Sequence, residues 1–98
     1  MDWKPSAVTM ADENETLLQF PCRFPIKAMG RAEADFDALV VAIIKRYVPD
    51  LKEGAVQTRS SRGGKYLSVT VTIEATSKSQ LDAIYQALFD NERVLMSL

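Results

Sequence analysis

The clearest pattern in the chain is an alternation of polar and apolar side chains over residues 66–75. The apolar parity holds Leu67, Val69, Val71, Ile73 and Ala75, and the polar parity holds Tyr66, Ser68, Thr70, Thr72 and Glu74. A period of two places successive side chains on opposite faces of a β-strand. The pattern therefore predicts a sheet with one apolar and one polar face, and the polar face is where function is to be sought.

A glycine pair at 63–64 precedes this strand and predicts a hairpin with a two-residue turn, in which both glycines take positive φ. The register that follows pairs Arg62 with Lys65 and Val56 with Val71, so the apolar side chains of both strands share one face. It also sets polar neighbours side by side: Gln57 with Thr70, Arg59 with Ser68, and Ser61 with Tyr66.

Two segments have apolar residues three and four positions apart, the spacing of an amphipathic helix. The first helix is predicted over residues 35–47, with Asp35 as its N-cap or an acid of its first turn and Pro49 ending it at Val48. The second begins at a capping box from Ser77 to Gln80 and terminates at a left-handed Asn91. The predicted inward positions are Phe36, Leu39, Val40, Ile43, Ile44 and Tyr47, then Leu81, Ile84, Tyr85, Leu88 and Phe89.

The remaining strands lie before the first helix and after the second. The segment FPCRFPIKAMG predicts strand one, with regular pairing from about Ile26 because Pro21 and Pro25 have no amide hydrogen. A short last strand places Val94, Met96 and Leu98 on one parity. The order β-α-β-β-α-β predicts an α+β, ferredoxin-like sandwich: an antiparallel four-stranded sheet, order 4-1-3-2, with two helices on one face. We assign this domain to residues 16–98 and a flexible tail to residues 1–15, whose Trp3 either docks or stays solvated.

Charge and hydropathy narrow the expected partners. The chain has 98 residues, 12 basic and 13 acidic, with a net charge of −1. This balance supplies no broad attraction for nucleic acid or an anionic membrane. The longest apolar run, residues 38–44, is too short to cross a bilayer, and no secretory signal pattern is visible. We therefore expect a cytoplasmic protein without a membrane or nucleic-acid partner.

The chain has no histidine and a single cysteine. It cannot assemble a Ser/His/Asp or Cys/His nucleophile, an internal disulfide, or a Cys/His zinc site. The expectation is a domain that is not an enzyme and holds no cofactor or metal. Cys22 is either a thiol activated by Arg23 or an inert, buried residue, and the second interpretation is favoured.

Two places are candidates for binding. Met29, Gly30 and Arg31 lie where strand one enters the first helix, and backbone amides at a helix N-terminus can receive an anionic group. The plainer role for Gly30 is to allow a tight turn and close packing. The second candidate is an interaction face on the polar side of the sheet: Gln57, Arg59, Tyr66, Ser68 and Thr70. An alternative docking element is the edge strand over residues 55–61.

Two nucleic-acid or phosphate interpretations of the hairpin carry little weight. The turn RSSRGGKY gathers cations and glycines but lacks the phosphate-loop spacing, so a solvated hairpin tip is the favoured interpretation. Tyr66 is followed on its face by Ser68 and Thr70, which offer no second ring on which an RNA base could stack.

The segments FPCRFPIKAMG, GGKYLSVTVTIEATSKSQLDAIYQAL and VLMSL resemble the YbeD-like family of small uncharacterised bacterial proteins. The resemblance implies a cytoplasmic bacterial domain, similar in shape to the ACT regulatory domains that bind amino acids at paired interfaces. It implies no established activity. The resemblance also suggests a link to lipoate metabolism, but the sequence contains no lipoyl-attachment or ligase pattern. We therefore expect a regulatory or sensor domain that binds a small metabolite near residues 29–31. The alternative is a module for self-association or for binding another protein.

Overall fold

Two long central strands organise the fold. The structure, a computed structural model, describes residues 19–98, so the predicted tail and Trp3 lie outside the described residues. Its elements are β1 (Cys22–Arg31), α1 (Phe36–Lys45), a 3₁₀ turn (Glu53–Ala55), β2 (Val56–Ser60), β3 (Tyr66–Ala75), α2 (Lys78–Phe89) and β4 (Met96–Ser97). β1 and β3 pair antiparallel over ten residues each, and the sheet order is β2-β3-β1-β4. This is the predicted order, 4-1-3-2, seen from the other edge.

The proline of β1, Pro25, disturbs the pairing less than expected. Pairing with β3 begins at Cys22 rather than near Ile26. The backbone of Lys27 exchanges hydrogen bonds of 3.1 and 2.8 Å with Leu98, so odd-numbered residues of β1 direct their amides away from β3. Pro25 has the same parity, and its missing amide therefore costs no hydrogen bond to β3.

The hairpin register is confirmed, but the turn is wider than predicted. All five β2–β3 pairs match the predicted register. Only Gly64 has a positive φ, 73°, and its amide donates to the Ser61 carbonyl at 2.9 Å. The Ser61 hydroxyl also accepts from the Tyr66 amide at 3.0 Å. The predicted pair at 62 and 65 is therefore wrong, because Ser61 closes a longer loop through both its carbonyl and its side chain.

Both helices lie on the apolar face of the sheet, where their buried residues join those of β1 and β3 in one core. In α1, Phe36, Val40 and Ile44 are fully buried. The helix ends at Lys45, so Tyr47 follows it in a turn rather than belonging to it. No helix within residues 19–98 combines the length and apolarity that a membrane crossing requires.

The start of α2 confirms the capping box, whereas its end differs from the prediction. The Ser77 hydroxyl accepts from the Gln80 amide at 3.1 Å. Phe89, predicted to face inward, is 79% exposed because it lies about 100° around the helix from the buried Leu88. Asn91 is not left-handed, since no non-glycine residue in 19–98 has positive φ. Its side-chain oxygen instead accepts from the Arg93 amide at 2.9 Å, and its carbonyl accepts from the Val94 amide at 3.0 Å.

Gly30 is the position at which the fold tolerates least change. A β-carbon there would lie 2.5 Å from the Arg93 carbonyl oxygen and from the ring of Phe36. Gly30→Ala should therefore lower the free energy of unfolding by about 1–3 kcal/mol, because backbone and core ring must both shift. The matched control is Gly54→Ala, whose β-carbon would meet nothing within 4 Å. Urea denaturation checks this, and equal losses in both variants would contradict it.

Candidate interaction face

One face of the sheet is left uncovered by the helices. The buried side chains of β1 and β3, such as Ile26 and Val69, point toward the helices. The alternate residues lie on the other side, because side chains alternate along each strand. We call this surface the open face; its main residues are Arg23, Lys27, Met29, Arg31, Gln57, Arg59, Tyr66, Ser68, Thr70, Glu74, Met96 and Leu98.

Cross-strand pairing arranges these side chains in rows. Met29 lies opposite Met96 on one side and Ser68 on the other, and Ser68 lies opposite Arg59. This row runs from apolar at β4 to cationic at β2. A second row runs through Leu98, Lys27, Thr70 and Gln57 in the same order.

The two candidate sites proposed from the sequence meet on this surface. Arg31 lies opposite Tyr66, and Met29 lies opposite Ser68. Gly30, between them, is buried and points into the core, where it serves close packing. Met29 and Arg31 therefore belong with the predicted interaction face and are separated from Gly30.

Three cations of the open face have no ion-pair partner among the described residues. Lys27, Arg31 and Arg59 are exposed and form no ion pair within residues 19–98. Glu74 is the one carboxylate that β1, β2 and β3 place on this face, and it lies opposite Arg23 at the far end of the β1–β3 pair. The middle of the face is therefore positively charged, although the whole chain carries a net charge of −1.

Apolar side chains adjoin the cations. Met96 is 53% exposed and Leu98 is 68% exposed. The Tyr85 hydroxyl donates to the Leu98 carbonyl at 2.7 Å and holds this end of the chain against β1. Leu98, Lys27 and Tyr66 help to line an open depression of about 360 Å³. Sequence reasoning did not include Lys27, Met96 or Leu98 among the site residues; the parity of Lys27 with Met29 was the available signal.

The N-terminus of α1 is occupied by the protein's own charged groups. Arg93 Nη2 lies 2.8 Å from Glu33 Oε1 and 2.7 Å from Asp35 Oδ1, and Nη1 lies 3.2 Å from Asp35 Oδ2. Asp35 stands at the predicted N-cap position, but its side chain makes no capping bond because it is engaged with Arg93. Asp37 adds a third carboxylate in the first turn. An anionic metabolite at this junction would meet these carboxylates, so the geometry favours the open face over the junction.

A cleft of the described chain lies elsewhere and was not predicted. Val71 is the last residue of β3 that pairs with β2, and β3 continues beyond it to Ala75. The space beside this overhang is a cleft of about 660 Å³ lined by the loop that follows α1 and by Thr72, Glu74 and Gln80. Gln80 Nε2 donates to the Tyr47 carbonyl at 3.1 Å and fastens the loop to α2.

Cys22 and the acidic residues of the described chain are the remaining candidates for chemistry or metal binding. Cys22 is a half-buried free thiol at the start of β1. Across residues 19–98, no three histidine, cysteine or acidic residues are grouped so that they could hold a metal ion.

Comparisons with known proteins find a matching family model and similar proteins. A family model described as "Protein of unknown function (DUF493)" matches residues 15–98. The UPF0250 protein NE1487 of Nitrosomonas europaea is 50% identical over 84 residues, which cover 86% of this chain and 97% of that protein. A UPF0250 protein of Chromobacterium violaceum is 43% identical over 89 residues, which cover 91% of this chain and all of that protein.

One solved structure is similar in fold. It is the solution structure of protein HP0495 from H. pylori, with a TM-score of 0.69 and 16% sequence identity. The match covers 94% of this chain and 97% of that one. At this identity the likeness concerns the fold alone.

The Asp35–Arg93 pair should make stability depend on pH in the acid range. The hydrogen bond from Arg93, its own backbone amide and the Arg93 charge hold the pKa of Asp35 below its ordinary value. The ionised carboxylate therefore stabilises the fold fully above about pH 4, and this contribution is lost as the pH falls through the lower native pKa. Asp35→Asn should lower the free energy of unfolding at neutral pH, with a difference from wild type that shrinks toward acid.

Thermal or urea denaturation from pH 7 downward measures this difference. Asp50→Asn is the control, because Asp50 is exposed and makes no ion pair within the described residues. A constant offset between wild type and Asp35→Asn at every pH would contradict the role given to the charged pair.

Proposed function

The chain belongs to the DUF493 family, and from that premise we propose that it is a non-enzymatic binding domain that recognises a protein partner through the open face. The observation that carries the proposal is the combination, on one side of the sheet, of exposed apolar side chains with exposed cations that form no ion pair within residues 19–98. Burial of apolar surface stabilises a complex by about 25 cal/mol per Å². Cations beside that surface orient the partner and discriminate between partners of different charge. Such a surface is suited to recognition.

The two edges of the sheet differ in how well they could contribute to partner binding. Residues 22–26 of β1 form an outer edge that β4 does not cover. This edge contains Pro25, which cannot donate a hydrogen bond to an added strand. The outer edge of β2, Val56–Ser60, has a full set of backbone groups, and a partner that reaches Arg59 can also pair there. Self-association through two stacked open faces would bring like charges together, so a different protein is the favoured partner.

Charge reversal on the open face should release the partner. Lys27→Glu and Arg59→Glu are each expected to weaken recovery of a protein captured from extract of the native cell by about tenfold, because each replaces attraction by repulsion. Lys45→Glu, an equal charge change at the exposed end of α1, should leave recovery unchanged. The measurement is quantitative mass spectrometry of proteins retained by each full-length variant. Equal retention by wild type and both open-face variants would contradict the proposal.

A small-metabolite sensor is the second candidate, and the specific observation behind it is the cleft beside β3. Its volume of about 660 Å³ falls within the range of small-molecule sites. Its lining joins an apolar wall with carboxylate, hydroxyl and amide groups, as in Leu51, Glu74 and Gln80. A ligand there would contact both the loop after α1 and the start of α2.

Thermal-shift titration tests the second candidate. Amino acids, lipoyl compounds and nucleotides are added singly, and a ligand well above its Kd should raise the melting temperature because it binds only the folded state. Amide shifts at residues 47–52 and 72–76 would locate it in the cleft, whereas shifts at residues 29–35 would return it to the strand-helix junction. If no compound raises the melting temperature, the sensor candidate fails.

A further inference from the structure

The open face also indicates what kind of partner it receives. Building on the proposed function, we propose that the occupant is an acidic, extended polypeptide segment of another protein, whose spaced carboxylates reach Lys27, Arg31 and Arg59 and whose apolar side chain packs on the Met29–Met96 pair. The inference rests on the placement of charge and apolar surface across the sheet.

The spacing of the cations favours an extended anionic chain over a single anion. Lys27 and Arg31 lie four residues apart on β1, about 13 Å at about 3.3 Å per residue. Arg59 lies two strands across from Met29, which is midway between the two β1 cations, so it is about 12 Å from each of them at about 4.8 Å per strand and about 3.3 Å per residue. Three cations spread over these positions can each meet a separate anionic group, which an extended acidic chain supplies. Carboxylates four residues apart on an extended strand lie about 13 Å apart on the same side, as Lys27 and Arg31 do.

One apolar group lies between the two β1 cations, and a second lies beside it on the outer strand. Met29 lies midway between Lys27 and Arg31 on β1, and Met96 lies directly beside Met29 on β4. Methionine side chains adapt to the shape of what packs on them. The complementary segment therefore carries a large apolar side chain between its acidic residues.

Single-stranded nucleic acid is the competing polyanion, and the face is less suited to it. Tyr66 is the one aromatic ring that β1, β2, β3 and β4 place on this face, and it is 36% exposed. Strands that bind bases use several stacking rings. Met96 and Leu98 offer apolar contact but no base stacking, so the surface fits a polypeptide better.

A peptide series tests the proposal on the full-length, isotope-labelled protein. Each extended peptide carries one leucine between two glutamates, and the glutamates stand two to six residues apart. We expect the tightest binding at a separation of four residues, with amide shifts at Met29, Ser68 and Arg59. The peptide with both glutamates replaced by glutamine should bind at least about tenfold more weakly. Arg59→Glu should weaken the best peptide by a similar factor, and Lys45→Glu should not.

The outcomes separate this inference from the proposed function. Equal binding of the glutamine peptide, the absence of binding by the whole series, or tighter binding of an oligouridine would overturn the acidic-segment inference. If a captured protein is nevertheless lost on Lys27→Glu and Arg59→Glu, the proposed function stands and only the partner's chemistry is wrong. If neither peptides nor a captured protein respond to those variants, both fail. A circular-dichroism spectrum of each variant establishes that it is folded, and Arg59→Gln replaces Arg59→Glu if the latter is not.

Discussion

The register of β1 against β3 is the constraint on which the rest of the structure depends. Each strand is ten residues long, and together they decide which side chains enter the core and which form the open face. A slip of one residue would exchange the two sets, bringing Lys27 and Arg31 into the core and Ile26 and Ala28 into water. Burial of the apolar set therefore fixes the polar set as well, so the fold and the binding surface have one physical cause.

Gly30 and Arg93 extend this constraint to the rest of the chain. The Arg93 carbonyl lies so close to Gly30 that a side chain there would collide with it. The guanidinium of the same residue holds Glu33 and Asp35 at the start of α1. The segment before β4 is thus tied to both β1 and α1. Since Met96 and Leu98 follow directly, the apolar part of the open face depends on this contact.

Much of the fold could be predicted because local patterns and long-range pairing agree. The alternation of residues 66–75 and the glycines before it were enough to predict the β2–β3 register, and the capping box at Ser77 was enough to place the start of α2. The turn itself was not predictable, because the hydrogen bonds of Ser61 compete with the tighter two-residue geometry. Phe89 shows a second limit, since helical spacing alone does not tell where the opposing sheet ends. For the site, sequence parity grouped Tyr66 with Ser68, but only the order of strands brought Met29 and Met96 beside them.

The central claim is that the open face is where this protein meets its partner. Methyl groups of Met29 and Met96 are natural reporters, because the two residues lie side by side on that face. The most direct measurement is the carbon-13 methyl spectrum of the full-length protein, labelled at methionine, with and without the partner purified by capture. The account predicts that both methyl resonances shift on binding. Binding that leaves both unchanged and instead shifts signals of the helices or of the cleft beside β3 would contradict it.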